Sequence, residues 1–154
     1  MSRAPPATSL FAADMPGLTY YARRGMVGSV ANGEVGPKPV VWIGSVLEDL
    51  RGFPKEGRKK IGDALRFAQL GQKHPAAKPL KGFGGAGVLE IVEDVRGDAY
   101  RAVYTVRFAG ILYALHAFQK KSTRGIATPR RHVELIRKRL EAARQDYRAR
   151  KGDG

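Results

Sequence analysis

The stretch AYRAVYTVRFAGILYALHAFQ, residues 99–119, constrains the fold more than any other part of this chain. Tyr100, Ala102, Tyr104, Val106 and Phe108 take one face, and Arg101, Val103, Thr105 and Arg107 take the other. That alternation marks a strand with one strongly apolar side. Ala109 and Gly110 suit a tight two-residue turn into a further strand over 111–119. Pairing through this turn sets Arg101 opposite 117–119, with adjacent strands about 4.8 Å apart. The rest of the chain has to cover the apolar face.

Its neighbours supply the cover. PVVWIG (39–44) is a short strand-like run, and SVLEDLRGF follows as a short helix with Ser45 placed as its N-cap. Pro54 interrupts that helix, and a second is expected from about Lys55 to Gln72. Ile61, Ala64, Leu65 and Ala68 form its apolar stripe, Gly71 closes it, and Pro75 prevents its resumption. GVLEIVED (87–94) is a strand, and Arg96–Asp98 a turn into the alternating stretch. Thr128 and Pro129 open a long basic helix to about Arg148, striped by Val133, Ile136, Leu140 and Ala143. The order predicts an α+β domain over 39–150: a helical hairpin on a small, mostly antiparallel sheet, then a C-terminal basic helix. Residues 1–38 mix Pro, Gly, Ala and Ser without a sustained period and are expected to be a poorly ordered extension. A start at Met26, with an over-long reading frame before it, is the alternative for that end.

The net charge is +14, which disposes the surface towards polyanions such as nucleic acid or a nucleoprotein. There is no cysteine, which removes disulfides, thiolate metal sites and cysteine nucleophiles and is compatible with the cytoplasm. No apolar run approaches the roughly 18 residues of a membrane span, and no apolar core of a secretory signal is evident at the N-terminus.

KGFGGAG (81–87) contains the spacing G-x-G-x-x-G. A dinucleotide site needs a strand before those glycines and a helix after them. Here a proline-containing loop precedes and a strand follows, so the motif reads as a loop entering a hairpin. His74, His116 and His132 lack metal-ligand spacing, and no metal or other cofactor is expected. What remains is a cluster of cations at one end of the sheet. Arg101 lies on the polar face, Lys120, Lys121 and Arg124 leave the last strand, and Lys78 and Lys81 enter from the loop before the first. Such convergence suits a phosphodiester, with a solvated turn as the plain alternative, and His116 by itself reads first as a core histidine.

In this order, WIGSVLEDLRGFP, HPAAKPLKGFGGAGVLEIVED, YRAVYTVRF and LHAFQKKSTRGIATPRR resemble the phage-derived HigB-like branch of the RelE/ParE toxin superfamily. The resemblance covers about residues 40–147 and implies a metal-independent, ribosome-dependent endoribonuclease leaving a 2′,3′-cyclic phosphate. Its partners would be the ribosome, mRNA and a helix-turn-helix antitoxin, HigA-like, encoded next door. Carried over residue by residue, the strand arginine is Arg101, holding the scissile phosphate. The basic residue ending the last strand is Lys121 or Lys120. The strand lysines of RelE proper are missing from VLEIV, where Glu90 stands, so the general base is open between His116 and Glu90. Arg130 and Arg131 would join Lys78, Lys81 and Arg124 in binding RNA. The same resemblance accommodates a ParE-like gyrase inhibitor without catalysis, or an inactive phage-derived remnant that binds nucleic acid or antitoxin.

Overall fold

The computed structural model describes residues 30–31, 34–35, 37–84, 87–120 and 128–152. Three long strands form the expected meander: β5 (Val88–Val95), β6 (Asp98–Thr105) and β7 (Leu112–Lys120). Ahead of them lie two short strands, β1 (Val30–Ala31) and β2 (Glu34–Val35), paired with each other, then β3 (Val40–Trp42) and β4 (Ala77–Pro79). The helices are α1 (Val46–Arg51), α2 (Lys55–Gln69) and α3 (Arg130–Gly152). The main sheet has the order β3-β7-β6-β5-β4. It is mixed: β3 runs parallel to β7, and the other pairings are antiparallel.

The sheet is covered on both sides. On one, Val46, Leu50, Ile61, Leu65 and Ala68 of α1 and α2 pack against Ile91, Tyr100, Ala102, Tyr104 and Ala117. On the other, Ile136, Leu140 and Ala143 of α3 pack against Val88, Val103, Tyr113 and Leu115. The apolar alternation of β6 therefore faces the helical hairpin as expected, and the face carrying Arg101 lies under α3. The stripe read for α3 is buried at Ile136, Leu140 and Ala143, while Val133 is half-buried.

Several local expectations change. The turn at Ala109–Gly110 is not a two-residue hairpin, because the connection takes 106–111. Phe108 and Ile111 turn into the α3-side core, and the Arg107 backbone N–H donates to Thr105 Oγ1 at 3.1 Å. A register shift between Val103 and Tyr104 absorbs the difference. Below that shift the expected pairing holds, with Arg101 opposite Phe118. The second helix ends at Gln69 rather than Gln72. Gly71 N–H donates to Ala68 and Gln72 N–H to Phe67, the paired bonds that stop a helix at a glycine. Ser45 sits at the start of α1 but makes no side-chain cap; its hydroxyl donates to Asp49 Oδ2 at 2.9 Å instead. α3 begins one residue after Pro129, whose carbonyl accepts from His132 and Val133 N–H.

Strand β4 was not read from the sequence, since three residues ending in proline carry no alternation. Within 1–38, the β1–β2 pair brackets Asn32–Gly33, a hairpin signal left unread. The remainder of that expected extension falls, apart from residues 37–38, outside the described residues. Among the described residues, no helix is long and apolar enough to cross a membrane.

Candidate functional site

Side-chain alternation places Lys78, Glu90, Arg101 and Phe118 on the α3 side of the sheet. Lys78 lies directly opposite Glu90 across β4 and β5, and Arg101 lies directly opposite Phe118 across β6 and β7. Val103 links the two rows, being opposite Glu90 on one side and His116 on the other. Five of the residues singled out in the sequence thus share one end of one sheet face: Lys78, Glu90, Arg101, His116 and Lys120.

Glu90 and Arg101 are the centre of this group. Arg101 NH1 donates to Glu90 Oε1 at 3.1 Å, with the two side chains 5% and 7% exposed. Lys78 Nζ stands 3.9 Å from the other carboxylate oxygen and is itself more than half exposed. Arg101 also reaches Thr128 Oγ1 at 3.4 Å, which ties it to the chain just before α3. A pocket of about 230 Å³ opens beside the pair, lined by Lys78, Leu80, Lys81, Glu90, Thr128 and Val133. One wall carries a carboxylate, the rim carries two lysines, and a guanidinium lies behind the carboxylate. The pocket thus sets positive charge at its rim beside carboxylate oxygens at its wall, the groups that anion contact and proton transfer each require.

His116 lies on the same face but is committed elsewhere. Arg139 NH1 approaches its Nδ1 at 3.2 Å and donates to the Leu115 carbonyl at 3.1 Å. Arg139 NH2 donates to Ser45 Oγ at 3.0 Å. On its other side, His116 Nε2 is 2.8 Å from His132 Nδ1. A guanidinium can only donate, so His116 Nδ1 accepts and its Nε2–H donates to His132. Burial, followed by the charges of His132 and Arg139, lowers His116 to about 4. Burial, then Arg131, also lowers His132, so both rings are neutral at pH 7. Burial lowers Arg139 as well, opposed by Asp49. His116 offers no ring nitrogen to a substrate in this arrangement.

Lys120 ends β7, largely buried and paired in register with Ala99. Lys121 and Arg124 lie outside the described residues. Arg130 is exposed and bonded to Glu134 at 3.1 Å, and Arg131 is exposed on the same turn. The glycine loop holds no cradle among its described residues. Phe83 is buried in the α3-side core, and Arg137 donates to the Gly82 carbonyl at 3.1 Å while lying over the Phe83 ring. Sequence reasoning missed Thr128, His132 and Arg139 as parts of the site. Thr128 was visible only as a cap residue, and the histidine–arginine chain is made by tertiary contact. Among the described residues, no group of three or more metal-ligating side chains could hold a metal ion.

The chain is thus a layered α+β domain with a pocket over one sheet face that is lined by Lys78, Lys81 and Glu90. Residues 48–141 match the model of the family described as phage derived protein Gp49-like (DUF891). This match spans more than half of the chain, which belongs to that family, a RelE/HigB-like toxin family of toxin–antitoxin systems. No curated protein and no solved structure gives a significant match.

Proposed function

We propose that this chain is the toxin of a type II toxin–antitoxin pair, HigB-like with a RelE/ParE-type fold, and that it cleaves ribosome-bound mRNA in the cytoplasm without a metal or cofactor. A helix-turn-helix antitoxin from a neighbouring gene is its partner. The observation that carries this reading is the Glu90–Arg101 pair at the wall of a pocket rimmed by Lys78 and Lys81.

The chemistry follows from those groups. Glu90 takes the proton from a ribose 2′-hydroxyl as its oxygen attacks the adjacent phosphorus. Arg101 orients the carboxylate, and the lysines stabilise charge building on the phosphate oxygens. The bond from phosphorus to the 5′-oxygen breaks, and that oxygen takes a proton from Lys120 or Lys121. The products are a 2′,3′-cyclic phosphate and a 5′-hydroxyl. The ribosome supplies RNA positioning, and Arg124, Arg130 and Arg131 contribute to attraction of the polyanion.

Expression in a translation extract, with mapping of mRNA 5′ ends, tests the reading. Codon-phased ends that vanish in Arg101→Ala support it. Intact mRNA with accumulating gyrase–DNA breaks would instead establish the non-catalytic, ParE-like activity. Intact mRNA with neither effect would establish an inactive binding remnant.

A further inference from the structure

Beyond the pocket at Glu90, the other flank of the first turn of α3 carries a second feature. β3 pairs only with Leu112–Ala114, so β7 continues past it along an open groove of about 480 Å³. The groove is lined by Glu48, Asp49 and Phe53 on one side and by His116, Phe118 and His132 on the other, with Gln119 at the same edge. Three of these rings form a cluster in which each touches the other two, His116 and His132 lying 4.9 Å apart and 36° from parallel. Phe118 and His132 lie 4.0 Å apart and 14° from parallel, and His116 and Phe118 lie 5.1 Å apart and 23° from parallel. Phe118 and His116 are buried, whereas His132 is half-buried and lines the groove.

The hydrogen-bond chain decides what His132 offers there. Arg139, fixed by Ser45 and the Leu115 carbonyl, donates to His116 Nδ1. His116 must therefore carry its proton on Nε2 and give that hydrogen bond to His132 Nδ1. A neutral His132 then has its proton on Nε2, a donor whose tautomer is set from behind. The groove is thus lined by an imidazole that carries its proton on Nε2, together with the side chains of Glu48 and Asp49. This suits a planar heterocycle with an acceptor edge and is poorly suited to a phosphate.

We propose that His132, stacked on Phe118, is a nucleobase subsite: it stacks one base of single-stranded RNA and donates its Nε2–H to an acceptor on that base. The identity of the ligand as RNA rests on the nuclease reading. Glu90 and His116 both pair with Val103, so their backbones lie about 10 Å apart, two strand spacings, and His132 meets His116 at 2.8 Å. A nucleotide with its base at His132 can thus place a flanking phosphate towards the Glu90 pocket. Single-stranded RNA is recognised in this manner, by splayed bases on aromatic faces.

The test uses the full-length protein and 2′-O-methyl RNA trinucleotides, which lack the attacking hydroxyl, with A, G, C, U or an abasic ribose at the centre. Binding is followed by anisotropy, and the imidazole nitrogens by two-bond proton–nitrogen spectra. The expected result is about ten-fold tighter binding of at least one base-bearing trinucleotide than of the abasic one, with a shift of the His132 signals. His132→Ala removes that advantage, while His132→Phe keeps stacking and loses discrimination among bases. Equal binding of all five, no binding of any, or unmoved His132 signals would overturn the subsite. Cleavage plays no part in this readout. A protein that binds bases but never cuts mRNA refutes only the nuclease reading; one that cuts mRNA but ignores the base refutes only the subsite.

Discussion

Glu90 on β5 and Arg101 on β6 are diagonal neighbours across the sheet, joined at 3.1 Å with both side chains more than nine-tenths buried. Arg101 is anchored again at Thr128, and Glu90 approaches Lys78, so the pair links β4, β5, β6 and the entry to α3. A buried pair of this kind is sensitive to loss of one member, because the other stays desolvated without its counter-charge. Glu90→Ala is expected to destabilise the fold by about 3–5 kcal/mol, read from the urea midpoint. Glu90→Gln keeps an acceptor oxygen for Arg101 and should cost clearly less.

The pairing of Arg101 with Phe118 was legible because strand periodicity and turn position together fix which residues face each other. It failed further along, where Phe108 and Ile111 are drawn into the core beneath α3 and lengthen the connection. Glu90 entered only through the resemblance, where it stands in place of strand lysines, and nothing local said that Arg101 would neutralise it. His132 and Arg139 carried no signal at all. Their roles depend on α3 crossing the sheet so that an arginine meets β7 and the histidine meets Phe118, which is a property of packing rather than of spacing.

His116 gives the fold a pH dependence. Its folded value of about 4 lies below the ordinary 6.5, so the unfolded chain binds the proton more readily. The resulting stability is fully present above pH 6.5 and is lost as pH falls towards about 4, at up to about 1.4 kcal/mol per pH unit for one group. His132, lowered in the same direction, adds to the slope. Urea midpoints between pH 7 and 4 should fall less steeply in His116→Gln than in the parent protein. Parallel slopes would show that His116 protonates freely in the folded state.

Gly44 holds φ +60°, and a Cβ there would lie 2.9 Å from Arg139 Nε. Gly44→Ala should therefore destabilise by more than the roughly 1–2 kcal/mol of left-handed backbone alone, because it displaces the arginine that holds His116. Gly110→Ala, with φ +84° and open space around it, is the control and should show only the backbone cost. The comparison is made by thermal melts, with the His116 ring signals reporting whether Arg139 has moved.

Arg96 and Gly97 connect β5 to β6 with φ of +53° and +89°, the two positive values of a hairpin turn that favours Asn-Gly. Arg96→Asn should stabilise the protein by up to about 1 kcal/mol, since asparagine tolerates that region better. A midpoint that falls would show that the arginine has a role besides its backbone.

The central claim is that Glu90 and Arg101 form a reactive centre rather than a structural pair. The most direct measurement is single-turnover cleavage of a defined mRNA on purified, programmed ribosomes by the parent protein, Glu90→Gln and Arg101→Lys, each first shown to be folded. The account predicts 2′,3′-cyclic phosphate ends from the parent, and rates lowered at least about 100-fold in both variants. Cleavage at the parental rate by folded Glu90→Gln would contradict it.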